Sequence, residues 1–433
     1  MKTIKKLLTG ALLIGSAVTL SAQTGTVKKP KVLFIGIDGV RSDALQQANT
    51  PNIDTLMANG LYTFDSWHCG ATSSGASWST MLTGVWEAKH QVTNNSYTNP
   101  NYANYPYFPK RAKECLPNLK AVQIITWDPM NDPTNSNNTA GYVFNSGFNQ
   151  SIDAGTHGQG AVTAAAKIQL NDPNLDILFI HYDETDAAGH SSGFNPNNPQ
   201  YMNAIQTVDQ EIGEVLAKLY QRPTYAQEDW LIMLTTDHGG IGTTHGGQSN
   251  TERHIWWVAS GPSVPHLQIT GPDPGSYYMP ANPVDTTLLN NTPVLTDIAV
   301  TALAHIMKGS GCESPETNPA WNLDGKSWLL NDTTDTTEPT NPTYVEDMRN
   351  AAIEFGIFPN PNNGTFKVAF KDVTGNIEIR IQNINGAAVQ SKSTQGATGL
   401  TVVPFDLTTL PKGIYFMNVT NNGKQTVRKI VLQ

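Results

Sequence analysis

Lys31–Ile37 reads KVLFIGI and is followed at once by Asp38-Gly39. A continuous apolar run of this length describes a strand buried on both faces, because a half-exposed strand would alternate. Three more runs read the same way: Ala121–Trp127 (AVQIITW), Leu175–Tyr182 (LDILFIHY) and Trp230–Thr236 (WLIMLTT). Between and after them lie helical patterns at Pro51–Gly60, Gln159–Leu170, Gln200–Leu219 and Pro293–Met307. Strands alternating with helices predict an α/β domain, a mainly parallel sheet sandwiched by helices, over residues 30–330.

The composition changes beyond this domain. Asn331–Pro342 (NDTTDTTEPTNP) has no strong apolar residue and reads as the start of a linker over 331–352. From 353 to 433 short alternating stretches recur at Thr365–Phe370, Ile377–Gln382, Leu400–Phe405, Ile414–Val419 and Thr426–Leu432. Asn-Gly pairs at 363, 385 and 422 separate several of them, which predicts a small antiparallel β-sandwich. At the other end, Lys2, Lys5 and Lys6 precede the apolar run Leu7–Leu20 and then Ser21-Ala22-Gln23. That order describes a secretory signal peptide over residues 1–23, and no run is long enough to span a bilayer.

Of 433 residues, 27 are Lys or Arg and 36 are Asp or Glu, a net charge of −9. A surplus of acid excludes a basic footprint for duplex nucleic acid. Cys69, Cys115 and Cys312 are too few for a disulfide scaffold or a Cys-rich metal module, and leave open which pair, if any, is joined.

Asp38, Asp186, Asp237 and His238 fall at or just after the C-terminal ends of the strand runs, the edge where open α/β sheets bind ligands. Unpaired carboxylates gathered there repel one another, and a divalent cation removes the repulsion. Asp186 and His190 are four residues apart, one face of a helical turn, and His245 follows Asp237-His238 among glycines. Mixed Asp and His ligands suit Zn²⁺. In Cys69–Ser79 (CGATSSGASWS), Ser73, Ser74 and Ser77 cluster before a short helix that ends at Thr83-Gly84. A hydroxyl at such a helix start sees the positive end of the helix dipole and fits a nucleophile.

The order IGIDGVRSD, the hydroxyl loop ending in LTG, DETDAAGH, TTDHGG and THGG followed by IWWVASGP resembles the alkaline phosphatase superfamily. Within it, the nucleotide pyrophosphatase/phosphodiesterase branch is the nearest in motif. The resemblance implies two divalent ions, most simply Zn²⁺. It assigns Asp186, His190 and His245 to one, and Asp38, Asp237 and His238 to the other. It implies Ser74 as nucleophile, ten residues before Gly84, and a phosphoryl-contacting residue three positions later, here Ser77 beside Trp78. His68, Lys89, His90, Asp128 and Arg253 are further candidates for the pocket wall.

The implied activity is hydrolysis of a small phosphate ester through a phosphoseryl intermediate. A phosphomonoesterase of the same fold, a sulfatase and a non-catalytic surface binding protein are the alternatives. Serine-type sulfatases require Arg four residues after the modified serine, and Trp78 stands there. In the tail, Phe358–Pro361 (FPNP), Gly413-Ile414-Tyr415 and Lys429–Gln433 (KIVLQ) resemble the C-terminal sorting domain of type IX secretion cargo. That resemblance implies secretion machinery as a partner and export to the cell surface or beyond.

Overall fold

The computed structural model describes residues 28–131 and 147–329, and within 353–432 all but 354, 359–361, 372, 384–386, 398–399 and 423. The signal-peptide segment, the linker and most of the FPNP motif lie outside the described residues. The chain divides into two compact units, one ending at Asn331 and one beginning at Asp332.

The first unit is built on an eight-stranded sheet in the order β4-β3-β5-β1-β6-β7-β2-β8. Its strands are β1 (Lys29–Ile37), β2 (Gly60–Trp67), β3 (Lys120–Ile125), β4 (Gln150–Asp153), β5 (Leu175–Tyr182), β6 (Glu228–Thr235), β7 (His254–Ser260) and β8 (Leu267–Ile269). β1 pairs in parallel with β5 on one side and β6 on the other. β7 is antiparallel to both its neighbours, β6 and β2. The apolar run of β1 now has its reason. Val32 and Phe34 enter the core on one face of the sheet, while Leu33, Ile35 and Ile37 enter the core on the other. The helices that matter below are α1 (Pro51–Ala58), α2 (Ser74–Thr83), α3 (Gln159–Gln169), α4 (Glu184–Ser192), α5 (Pro199–Tyr220) and α6 (Asp297–Ile306). Ile205, Val208 and Ile212 of α5 cover one sheet face, and Ile298, Ala302 and Leu303 of α6 cover the other.

Three of the expected helices start or stop within a few residues of the observed ones, but Pro293–Met307 shortens to Asp297–Ile306. There Asp297 Oδ2 accepts from the Val294 backbone N–H at 3.0 Å, tying the preceding residues into a turn instead. Cys115 and Cys312 are joined, and Cys69 is a buried free thiol. No helix among the described residues is long and apolar enough to cross a membrane.

The second unit packs a three-stranded sheet against a four-stranded one. The first has the order β13-β10-β9 and the second β12-β11-β14-β15. The strands are β9 (Phe355–Phe358), β10 (Thr365–Lys371), β11 (Gly375–Asn383), β12 (Ala388–Gly396), β13 (Leu400–Asp406), β14 (Gly413–Asn421) and β15 (Lys424–Leu432). All the pairings within these two sheets are antiparallel. Alternate residues such as Ile377, Ile379 and Ile381 meet Phe366, Val368 and Phe370 in a single core.

Candidate active site

The C-terminal ends of β1, β5 and β6 deliver the first groups. Asp38 follows β1, and its backbone N–H donates to the Tyr182 carbonyl at the end of β5 at 2.8 Å. Asp237 and His238 follow β6. Asp237 Oδ1 accepts the backbone N–H of Gly39 at 3.1 Å and of His238 at 2.9 Å, so one carboxylate oxygen is fixed by the two loops. Gly39 has a φ of 70°, and a Cβ there would lie 2.7 Å from Asp186 Oδ1. The strand-to-helix turn therefore needs glycine both for its backbone and to admit the Asp186 carboxylate. Asp186 and His190 come from α4, one turn apart, and His245 from the loop after β6.

These six side chains gather into two trios, Asp38, Asp237 and His238, and Asp186, His190 and His245. In each, the ligand atoms lie within 4.8 Å of one another. His238 Nε2 is 3.4 Å from Asp38 Oδ1 and 3.3 Å from Asp237 Oδ2. His190 Nε2 is 3.3 Å from Asp186 Oδ2, and His245 Nε2 is 3.7 Å from Asp186 Oδ1. All three imidazoles are oriented through the other nitrogen. Nδ1 donates to the Gly239 carbonyl from His238 at 2.7 Å, to Thr243 from His190 at 2.9 Å and to Thr72 from His245 at 2.9 Å. This is the arrangement that fixes a metal-ligating histidine, with Nε2 left as the ligand atom.

The carboxylates point to the same conclusion. Asp38 Oδ1, Asp186 Oδ1 and Asp237 Oδ2 are buried without a hydrogen-bond donor. Burial pushes Asp237 well above the usual carboxylate range, and the nearby Asp38 and Asp186 charges push it further. Asp186 is raised for the same reasons, burial first. Burial would raise Asp38 too, but His181, His238 and Trp78 outweigh it and hold the group below its ordinary value. Burial also lowers His238, and lowers His245 to about 4, so both favour the neutral, ligating form. His190 is raised to about 9, chiefly by its hydrogen bond with Asp186. Three buried carboxylates with donorless oxygens are costly without a cation among them, and the mixed N and O donors fit Zn²⁺ or a similar divalent ion.

Ser74 is the first residue of α2. Its Oγ lies 3.2 Å from His238 Nε2, between the helix N-terminus and the Asp38 trio. The loop before it is tied down at several points. The Ala71 N–H donates to Glu87 Oε1 at 2.7 Å, and Thr72 Oγ1 donates to the Gly247 carbonyl at 2.8 Å. Ser74 opens on a cavity of about 530 Å³ lined also by Asp38, Asp186, His190, His245 and Asn95.

Ser77 and Trp78 do not line that cavity. Ser77 is fully buried, with Oγ 2.9 Å from His68 Nε2. Trp78 is buried beneath Asp38 and donates its indole N–H to Asp38 Oδ2 at 3.1 Å. All of α2 is buried, and Ser77 and Trp78, a turn into the helix, lie deeper than Ser74 at its start. The other five candidates are also elsewhere. His90 bonds Thr80, Lys89 bonds Asp324, Arg253 bonds Asp273, His68 holds Ser77, and Asp128 accepts from Thr156 behind the rim.

Asn95 is the residue the sequence did not reveal. Its Oδ1 accepts the Gly75 N–H at 2.9 Å, which fixes the amide beside Ser74 and leaves Nδ2 as a donor in the cavity wall. A lone Asn in the polar stretch QVTNNSYTNP carries no signal of its own. His181, 3.4 Å from Asp38 Oδ2 through Nε2, was hidden inside an apolar strand run.

Residues 32–254 match the model of the type I phosphodiesterase/nucleotide pyrophosphatase family, just over half of the chain. The chain belongs to that family. Residues 356–433 match the secretion system C-terminal sorting domain, which indicates export to the cell surface or beyond. Among curated relatives of this phosphodiesterase-family chain is the Bos taurus bis(5'-adenosyl)-triphosphatase ENPP4. It is 23% identical over 253 residues, which cover 55% of this chain and 53% of that protein. The Homo sapiens ectonucleotide pyrophosphatase/phosphodiesterase family member 7 is 22% identical over 236 residues, 48% and 47% of the two chains. The chain thus spans about half the length of the curated relatives it matches. A crystal structure of a protein in the alkaline phosphatase superfamily from Vibrio parahaemolyticus superposes with a TM-score of 0.48. It is 13% identical and covers 94% of this chain and 83% of that one.

Proposed function

We propose that this chain is an exported, metal-dependent hydrolase of phosphoric esters, of the phosphodiesterase or nucleotide pyrophosphatase type, that works through a phosphoseryl intermediate on Ser74. The observation that carries the reading is the set of donorless, buried oxygens of Asp38, Asp186 and Asp237 beside the Ser74 hydroxyl. In this reading one divalent ion is held by Asp186, His190 and His245, and a second by Asp38, Asp237 and His238. Bound there, such ions supply the positive charge that lowers a hydroxyl pKa and neutralises phosphoryl oxygens.

The chain's own groups do the rest. Ser74 Oγ attacks phosphorus and the ester oxygen departs. Asn95 Nδ2 donates to a non-bridging oxygen, and the start of α2 adds the positive end of its dipole. Water then releases the product from the serine. In the whole chain, residues 1–23 serve as the export signal, 331–352 as the linker and 353–433 as the sorting domain.

The test is a comparison of rates by the purified, metal-loaded protein on bis(4-nitrophenyl) phosphate, 4-nitrophenyl phosphate and 4-nitrophenyl sulfate, with and without chelator. Chelator-sensitive hydrolysis of the diester, abolished in Ser74→Ala, supports the reading. Preference for the monoester moves it to a phosphomonoesterase. Hydrolysis of the sulfate alone, or of none, overturns it.

A further inference from the structure

One group in the cavity wall has no place in that scheme. His157 lies in the loop before α3 and lines the same cavity as Ser74, Asp186, His190 and His245. Its backbone is in the left-handed region, with φ 57°, an uncommon conformation for a residue with a side chain. One carboxylate holds it there. The His157 backbone N–H donates to Asp183 Oδ1 at 3.2 Å, and His157 Nδ1 lies 3.3 Å from Asp183 Oδ2. The Asp183 side chain is 6% exposed and the His157 imidazole 54%, so a buried acid carries an open ring. No hydrogen bond or ion pair engages His157 Nε2 among the described residues. Asp183 occupies the N-cap position of α4, and Asp183, Ala187 and Ser191, four residues apart, form the stripe of that helix along the cavity. Asp186 and His190 are carried by the same helix, so His157 belongs to the Asp186 side of the site.

A backbone held in a costly conformation by a buried carboxylate, with one ring nitrogen left open to the cavity, is an arrangement for placing a proton. We propose that His157 is a general acid and base of the hydrolysis proposed above, on which this inference rests, and that Asp183 is its positioning residue. In the first half-reaction Ser74 Oγ, its proton released to solvent, forms its bond to phosphorus as the ester P–O bond breaks. The electron pair stays on the departing oxygen, which takes the proton of His157 Nε2, while Nδ1–H stays with Asp183. In the second half-reaction the neutral Nε2 takes a proton from the attacking water as the serine–phosphorus bond breaks. The phosphorylated product leaves, and Ser74 Oγ recovers its proton from solvent.

The test uses methyl 4-nitrophenyl phosphate and methyl phenyl phosphate with the metal-loaded full chain. Nitrophenolate departs without a proton, whereas phenolate gains from one. In kcat/KM, which covers the steps up to departure of the ester oxygen, His157→Gln is expected to slow the phenyl ester by about 100-fold and the nitrophenyl ester by less than about threefold, with unchanged metal content. Asp183→Asn is expected to shift the two rates in the same direction. Equal losses of kcat/KM on both esters in both variants, with the wild type active, would overturn the role of His157 and leave the hydrolase reading intact. If the wild type hydrolyses neither ester, both fall. Should His157→Gln fail to fold, Asp183→Asn alone decides by the same ratio.

Discussion

The imidazoles of His238 and His245 stack, with centroids 3.7 Å apart and planes 19° from parallel. The two rings belong to different trios, so one ring face is shared between the two proposed ion sites. His245→Ala and Asp186→Asn each remove a ligand from the same trio, but only the first removes the stacked ring. Both are expected to bind one ion per chain in place of two. In His245→Ala the remaining ion is expected to bind about tenfold more weakly as well. Metal analysis followed by titration with a competing chelator measures both quantities, and equal affinity in the two variants would show that the stack carries no coupling.

Trp78 makes a second prediction. Its indole N–H donates to Asp38 Oδ2 while its ring fills the space beside Phe179 and His181. Trp78→Phe keeps most of that volume and removes the donor. Its metal affinity is expected to fall about 10- to 100-fold at one of two ions, with activity recovered by excess metal. The cost in stability is expected to be about 1–3 kcal/mol. Loss of activity that excess metal does not restore would show that Trp78 acts through packing alone.

The trios were legible because strand ends advertise themselves. The runs before Asp38 and Asp237 are continuously apolar, and Asp186 and His190 sit at helical spacing. What escaped was set by long-range packing. β2 (GLYTFDSW) mixes polar and aromatic residues because it lies beside the antiparallel β7, toward the edge of the sheet. β12 (AVQSKSTQG) is an edge strand with almost no buried residue, so its pattern carries no core signal. Ser77 reads in the sequence as part of the cluster before the helix, whereas it lies within α2 and, like Trp78, is fully buried. The burial of α2 on all sides depends on partners such as Phe179 and His181, which meet Trp78 from more than a hundred residues away.

Among the described residues the Asn95 side chain is held by a single bond, from the Gly75 N–H. If its free amide nitrogen meets the phosphoryl group, Asn95→Ala should lower kcat by about 100-fold or more with bound metal unchanged. The diagnostic feature is a fall in kcat with little change in KM, because the contact strengthens as charge builds on the oxygen. A rise in KM at constant kcat would instead make Asn95 a residue of ground-state binding.

Glu87 makes a pH-dependent contribution to the stability of the first unit. Burial raises its carboxyl to about 7, although the Ala71 N–H opposes the shift. An acid whose folded pKa exceeds its unfolded one favours the fold when protonated. Its contribution is complete below about pH 4.5, is lost as the pH rises toward 7, and changes little above that. For a shift of this size the loss is on the order of 3 kcal/mol. Glu87→Gln keeps an oxygen acceptor for the Ala71 N–H and cannot ionise, so between pH 5 and 7.5 it should escape that decline and exceed the wild type at the upper end. Asp297, raised by burial to about 6, is present in both proteins and cancels in the difference. All nine tryptophans lie at or before Trp328, so their fluorescence during denaturant unfolding reports on the first unit alone. A difference between variant and wild type that stays constant across this range would mean that Glu87 is ionised throughout and is stabilised by contacts other than its burial.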